Sequence, residues 1–134
     1  MTKYCMTMTE DQARLVIRAL DFFSRMRMGQ FAELIDLVLT VEGDDIDDYR
    51  KRRNEAARIL LEARDVLMPE LRDMHSLHGS YSVYMFDDAR AAWHTLQAIR
   101  SCIAWHNNPA GGWTVDFDKP FDDAPTVEAV DDGQ

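Results

Sequence analysis

Residues 47–68, DDYRKRRNEAARILLEARDVLM, contain the clearest helical pattern in the chain. Apolar side chains recur there at steps of three and four residues, which places them on one face of an α-helix. The predicted apolar face consists of Ala56, Ile59, Leu60, Ala63, Val66 and Leu67. Pro69 follows directly and predicts the end or a bend of this helix.

Two helical stripes precede this segment. Thr9 and Gln12 have the spacing of a capping box, which predicts that a helix begins there. Apolar residues then recur at helical steps over residues 13–26. Gly29 interrupts the pattern and predicts a kink or a new helix, and a second stripe covers residues 31–39.

A last long helix is predicted over about residues 88–106, with Asp87 as its N-cap. Short alternating patterns at residues 2–8, 81–85 and 113–117 predict strands. The predicted fold class is therefore α+β and mainly α. It is a helical bundle of three to four helices with two or three short antiparallel strands.

Length and charge set the domain organisation. The chain has 134 residues, which is the usual size of one domain, and its formal net charge is −9. Residues 118–134 contain six acids and one lysine. We expect one globular domain over residues 1–118 and a disordered acidic tail over residues 119–134. The net charge predicts no nonspecific binding to nucleic acid or to an anionic membrane.

The first residues, the short apolar runs and the cysteines predict a cytoplasmic protein. The first six residues lack the apolar segment of a signal peptide, and no apolar run approaches about 20 residues. Cys5 and Cys102 have no metal-ligand spacing, so reduced thiols are expected.

No catalytic or metal-binding motif emerges. His75 and His78 have H-x-x-H spacing, but no third ligand follows at a usable distance, so loop histidines are expected. The acidic run Asp44–Asp48 lacks the glycine and the terminal glutamate of a calcium loop. Nucleophile elbows and glycine-rich phosphate loops are also missing. The sequence predicts no metal, no cofactor and no enzymatic activity.

Basic and aromatic residues point instead to binding. Arg25 and Arg27 lie before Gly29, and Arg50–Arg53 with Arg58 crowd the start of the third helix. Arginine suits phosphate because its planar fork donates two hydrogen bonds. The alternative is that the run only balances Asp44–Asp48. Similarly, tryptophans and asparagines near residue 107 either contact bases or serve in the core and as a helix cap.

Two segments carry a family resemblance. Residues 23–31, FSRMRMGQF, contain R-x-x-M-G-Q-F, and residues 105–120, WHNNPAGGWTVDFDKP, contain N-P-x-G-G-x-T-V-D-F-D. In this order they resemble a family of small tailed-phage proteins, identified as Thoeris anti-defence sponges. The Gly79–Ser82 segment and the arginine at the start of the last helix also fit. The acidic tail and Arg27 depart from the pattern.

The resemblance implies a function. Such sponges are non-enzymatic homo-oligomers that enclose cyclic ADP-ribose signals of bacterial immunity, and some bind cyclic oligonucleotides. The chain would then act in the cytoplasm of an infected bacterial host. The ligand-binding residues carried over are Arg25, Met28, Asn107, Asn108, Trp113, Thr114 and Asp116, with Arg90 and Arg100 as weaker candidates. We expect the region of Arg25 and the turn near Asn107 to converge on one pocket.

Two other functions are open at this stage. An acidic inhibitor that binds a host or defence protein would use the tail and the Asp44–Asp48 loop. A hydrolase acting on the same signals would need a catalytic set, which the sequence does not offer.

Overall fold

The protein consists of helices joined by irregular segments. The computed structural model describes residues 1–40 and 45–132. Over these residues the four α-helices are α1 (Glu10–Met28), α2 (Ala32–Val38), α3 (Ile46–Leu67) and α4 (Asp87–Asn107). The same residues contain no β-strand. The helical character is confirmed, whereas the α+β class is wrong because the described residues form helices and no sheet.

Local capping explains where helices begin. Thr9 Oγ1 accepts a hydrogen bond from the Gln12 amide at 3.2 Å, and Gln12 Oε1 accepts one from the Thr9 amide at 3.0 Å. The predicted capping box at the start of α1 is therefore confirmed. Asp45 caps α3 in a similar way, since its side chain accepts from the Asp48 amide at 2.9 Å. The acidic run Asp44–Asp48 begins at Asp44, which lies outside the described residues.

The predicted antiparallel strands are wrong. Residues 2–8 form no helix or strand, and the other two segments contain the 3₁₀ turns Val83–Met85 and Val115–Phe117. In the first turn, the Ser82 hydroxyl accepts a hydrogen bond from the Tyr84 amide at 3.2 Å and holds the backbone in a tight bend. An alternating pattern of five residues is too short to oppose such local bonding.

The chain divides into two compact units. Unit 1 comprises Met1–Asp21 with Ala91–Gln134, and unit 2 comprises Phe22–Arg90. Both divisions fall inside helices, so α1 and α4 each contribute to both units. The boundary expected at residue 118 stays a prediction.

The core of unit 2 lies between α2 and α3. Ala32, Ile35 and Leu77 are buried at its centre. Partly buried apolar side chains surround them, namely Phe31, Leu39, Ala56, Ala57, Leu60 and Leu61. The apolar face predicted for α3 is only partly correct, because Ile59, Val66 and Leu67 are 50%, 76% and 68% exposed.

Arg64 explains why the buried face of α3 differs from the predicted one. Its side chain is fully buried, on the side of the helix that also carries Ala57 and Leu61. Its guanidinium donates hydrogen bonds to the carbonyl oxygens of Ser76 at 2.7 Å, of Gly79 and Leu71 at 3.3 Å, and of Met74. In the described chain these partners are all backbone carbonyls. One arginine thus fixes the irregular segment 71–79 against α3.

Two glycines allow close packing beside this segment. Gly29 has φ +91°, and a Cβ there would lie 2.7 Å from Leu71 Cδ1 and 2.9 Å from Met68 Sδ. A Cβ on Gly79 would lie 2.9 Å from Met74 Sδ. The break after α1 that the sequence predicted at Gly29 is therefore a left-handed turn with no room for a side chain.

In unit 1, the chain after α4 folds back onto that helix. The indole nitrogen of Trp105 donates to the Phe117 carbonyl at 3.1 Å, and the two rings meet edge to face. Further along, Phe121 stacks on the His94 ring with 3.9 Å between centroids, and Asp123 Oδ1 lies 2.5 Å from His94 Nδ1. Residues 119–132 form no helix or strand but make these contacts. The expected disorder of the tail stays a prediction.

We expect Arg64→Met to lower the free energy of unfolding by about 3 kcal/mol, because four backbone carbonyls in buried or part-buried bonds lose their donor while the volume is roughly kept. Urea denaturation followed by circular dichroism measures the change. Arg52→Met, at an exposed position of the same helix, is the control and should change stability by less than about 0.5 kcal/mol. A similarly small effect of Arg64→Met would show that the segment does not depend on the guanidinium.

Candidate functional site

A groove in unit 2 has the size of a ligand site. It encloses about 460 Å³ between α2, α3 and the segment that Arg64 fixes. Small-molecule pockets commonly measure about 300–1,000 Å³. The lining residues are Ala32, Ile35, Arg53, Asn54, Ala57, Arg58, Leu61, His75, Leu77 and His78.

The groove combines an apolar floor with a polar rim. Ala32, Ile35 and Leu77 belong to the buried core of unit 2 and form part of the floor. His75 and His78 are exposed and lie on the segment that Arg64 holds. This arrangement suits a ligand with one flat apolar part and one polar part.

Two arginines of α3 supply positive charge to the rim. Arg53 Nη1 lies 2.7 Å from Asp36 Oδ1 on α2. This hydrogen bond raises the pKa of the Arg53 guanidinium above its ordinary value. Arg58 contacts Glu55 at 2.5 Å and Glu62 at 3.1 Å, and the hydrogen bond with Glu55 likewise raises its pKa. Both guanidiniums are therefore permanently charged, and both are already paired with carboxylates of this chain.

The structure places three of the sequence-predicted residues in unit 2. Arg25 Nη1 donates to Gln30 Oε1 at 3.0 Å and to Glu33 Oε1 at 3.2 Å. The carbonyl of Met28 accepts a hydrogen bond from the Tyr81 amide at 2.9 Å. Arg90 forms an ion pair with Asp87 at 3.5 Å. None of the three predicted residues lines the groove.

Gln30 extends the contact of Arg25 to a neighbouring segment. Its amide nitrogen donates to Ser80 Oγ at 3.0 Å while its oxygen receives the bond from Arg25. With the turn at Gly29, these bonds account for most of the R-x-x-M-G-Q-F motif as local structure. The motif joins the end of α1 to residues 80–81.

The other predicted residues lie in unit 1, near the end of α4. Asn107 Nδ2 donates to Glu10 Oε1 at 2.8 Å, and Asn108 Nδ2 donates to the Gly111 carbonyl at 3.0 Å. Asp116 Oδ1 lies 2.9 Å from Arg100 Nε. Thr114 precedes a 3₁₀ turn and is exposed, and Trp113 is fully exposed.

The second motif also has a structural explanation. Gly111 has φ +86°, and a Cβ there would lie 3.0 Å from the Trp105 ring. A Cβ on Gly112 would lie 2.4 Å from the Phe117 ring. Both glycines of N-P-x-G-G are therefore required by aromatic side chains that pack on the turn. The convergence of Arg25 and Asn107 on one pocket stays a prediction.

No metal site is evident in the part of the chain that is described. Over residues 1–40 and 45–132, no three His, Cys, Asp or Glu side chains group so as to hold a metal ion. In the same residues, no helix has both the length and the apolar character needed to cross a membrane.

Sequence reasoning noted Arg53 and Arg58 only as members of a basic run and missed the groove. That they line the same groove as His75 and His78 depends on how the segment 71–79 folds back.

Comparisons with known proteins identify no relative. No protein family model, no curated protein and no solved structure matches this chain significantly. The resemblance to the phage family stays a prediction.

We expect Asn107→Ala to raise the pKa of Glu10 towards its ordinary value. The hydrogen bond from Asn107 is the largest cause that lowers this pKa. The bond therefore stabilises the fold above the ordinary pKa of the carboxyl, and this contribution is lost as the pH falls through the lowered value. NMR titration of the Glu10 side chain measures the change.

The matched control is Asn108→Ala, whose amide bonds Gly111 instead. It should leave the Glu10 titration unchanged. An unchanged midpoint in Asn107→Ala would contradict the assignment of Asn107 to this bond in solution.

Proposed function

We propose that the chain is a non-enzymatic protein that captures a small anionic nucleotide. The observation that carries this proposal is the groove of unit 2, where two arginines stand at the edge of an apolar floor. Arginine binds phosphate through paired, charge-assisted hydrogen bonds. An apolar floor beside histidine rings suits a nucleobase.

The charge of the chain favours a small ligand over a polymer. A net charge of −9 repels extended polyanions such as DNA and RNA. Screening limits this repulsion to about 8–10 Å at moderate salt, so the guanidiniums beside the groove can still hold a small anion. The groove therefore fits a free nucleotide better than a nucleic acid.

The family resemblance supports a specific role. It implies that the ligand is a cyclic ADP-ribose or a cyclic oligonucleotide that signals infection in bacteria. In this role the protein is phage-encoded, forms a homo-oligomer and works in the cytoplasm of the infected host. It removes the signal without altering it, which blocks the defence. The groove supports the capture of a small anion. The resemblance supports the signalling role alone, since the residues that it implies for binding do not line the groove.

The tail favours a second candidate, an acidic inhibitor of a host or defence protein. Its acidic side chains are exposed, including Asp122, Glu128 and Asp132. A basic partner could bind them through charge complementarity.

The proposal predicts that a nucleotide raises the melting temperature and is recovered unchanged. We would screen cyclic ADP-ribose isomers and cyclic di- and trinucleotides by thermal shift, and then identify the heat-released ligand by mass spectrometry. At a ligand concentration about 100 times Kd, the stabilisation should reach about 2.7 kcal/mol. A cleaved product would indicate an enzyme, and the absence of any shift would refute the proposal.

Two variants separate the candidate functions. Arg53→Gln with Arg58→Gln should abolish the thermal shift if the groove binds the ligand. Asp122→Asn with Glu128→Gln and Asp132→Asn should preserve it, since these side chains are exposed and the contacts of Phe121 and Asp123 remain. Both variants would also be tested for inhibition of the bacterial defence. Loss of this inhibition in the tail variant alone would favour the protein-binding inhibitor.

A further inference from the structure

The two arginines of the groove face different directions. They are five residues apart on α3, which in an α-helix corresponds to a rise of about 7.5 Å and a rotation of about 140°. Arg53 reaches towards α2, where it meets Asp36. Arg58 reaches along α3 to Glu55 and Glu62. The two guanidiniums flank the groove rather than meet at one point.

The carboxylate partners mark two separate positions for oxyanions. Asp36, Glu55 and Glu62 hold these positions, but none of them lines the groove. Their side chains are 48%, 58% and 70% exposed, and ion pairs of this kind are weak because water screens them. A phosphate carries more charge and more acceptor oxygens than a carboxylate. A phosphate can therefore replace the carboxylates at either position.

From this geometry we infer that the groove takes a ligand with two phosphate groups, one held by Arg53 and the other by Arg58. The inference rests on the proposed function and adds the phosphate count and the residue at each position. The part of the ligand between the two phosphates crosses Asn54, Ala57 and Leu61, which line the groove on the same helix. The nucleoside lies on the apolar floor beside His75 and His78.

Three adenosine nucleotides serve as probes in isothermal titration calorimetry. AMP has one phosphate, ADP has two adjacent phosphates and adenosine 3′,5′-bisphosphate has two separated phosphates. We expect the better of the two-phosphate probes to bind wild-type protein at least about 10-fold more tightly than AMP, since the second phosphate gains a charge-assisted contact.

Arg58→Gln should remove this advantage, so that the two-phosphate probe binds about as weakly as AMP. Arg52→Gln has the same loss of charge on the same helix but does not line the groove, and it should preserve the advantage. Asp36→Asn should tighten binding of the two-phosphate probe by a few-fold, because the competing carboxylate is removed.

Distinct results overturn the two proposals. If AMP binds wild-type protein as tightly as both two-phosphate probes, the groove binds nucleotides but the two-position inference is wrong. An unchanged advantage in Arg58→Gln, or weaker binding in Asp36→Asn, also refutes it. If none of the nucleotides binds, and cyclic nucleotides fail as well, the proposed function falls and the inference falls with it.

Discussion

The buried guanidinium of Arg64 is the interaction on which unit 2 depends. Burying a charge is costly unless its hydrogen bonds are satisfied. Here four carbonyl oxygens of the segment 71–79 accept hydrogen bonds from the two Nη atoms, while the buried Nε has no partner among the described residues. Residues 72–79, which form no helix or strand, gain a fixed partner in return. The same segment presents His75, Leu77 and His78 to the groove. The shape of the candidate site is therefore set by a residue that does not line it.

The helices could be predicted from sequence because their signals are local and repeated. The capping box at Thr9, the break at Gly29 and the proline after α3 each appear where they were expected. The strands could not be predicted correctly, because a short alternation competes with single hydrogen bonds such as the one that Ser82 accepts. The buried side of α3 was also misjudged, because an arginine in the core looks like a surface residue in a hydrophobicity pattern.

Prediction of the candidate site from the sequence has the same limit. The unusual residues of the two motifs, such as Gly29 and Gly112, have tight packing roles that the structure explains. Their rarity in sequence therefore does not require a ligand. The groove, in contrast, uses common residues of α2 and α3 that become significant only after the segment 71–79 folds back. No spacing rule along the chain contains that information, since it depends on how three separate elements pack together.

The sulfur of Met74 makes the segment 71–79 sensitive to oxidation. This side chain is 43% exposed, and its Sδ fills the space that a side chain on residue 79 would occupy. Oxidation to the sulfoxide adds a polar oxygen and makes the thioether larger. That oxygen would sit on the atom that packs beside Gly79, and the carbonyl of Met74 is itself a partner of Arg64. Oxidation of this one accessible methionine would thus disturb a hydrogen bond of the buried arginine.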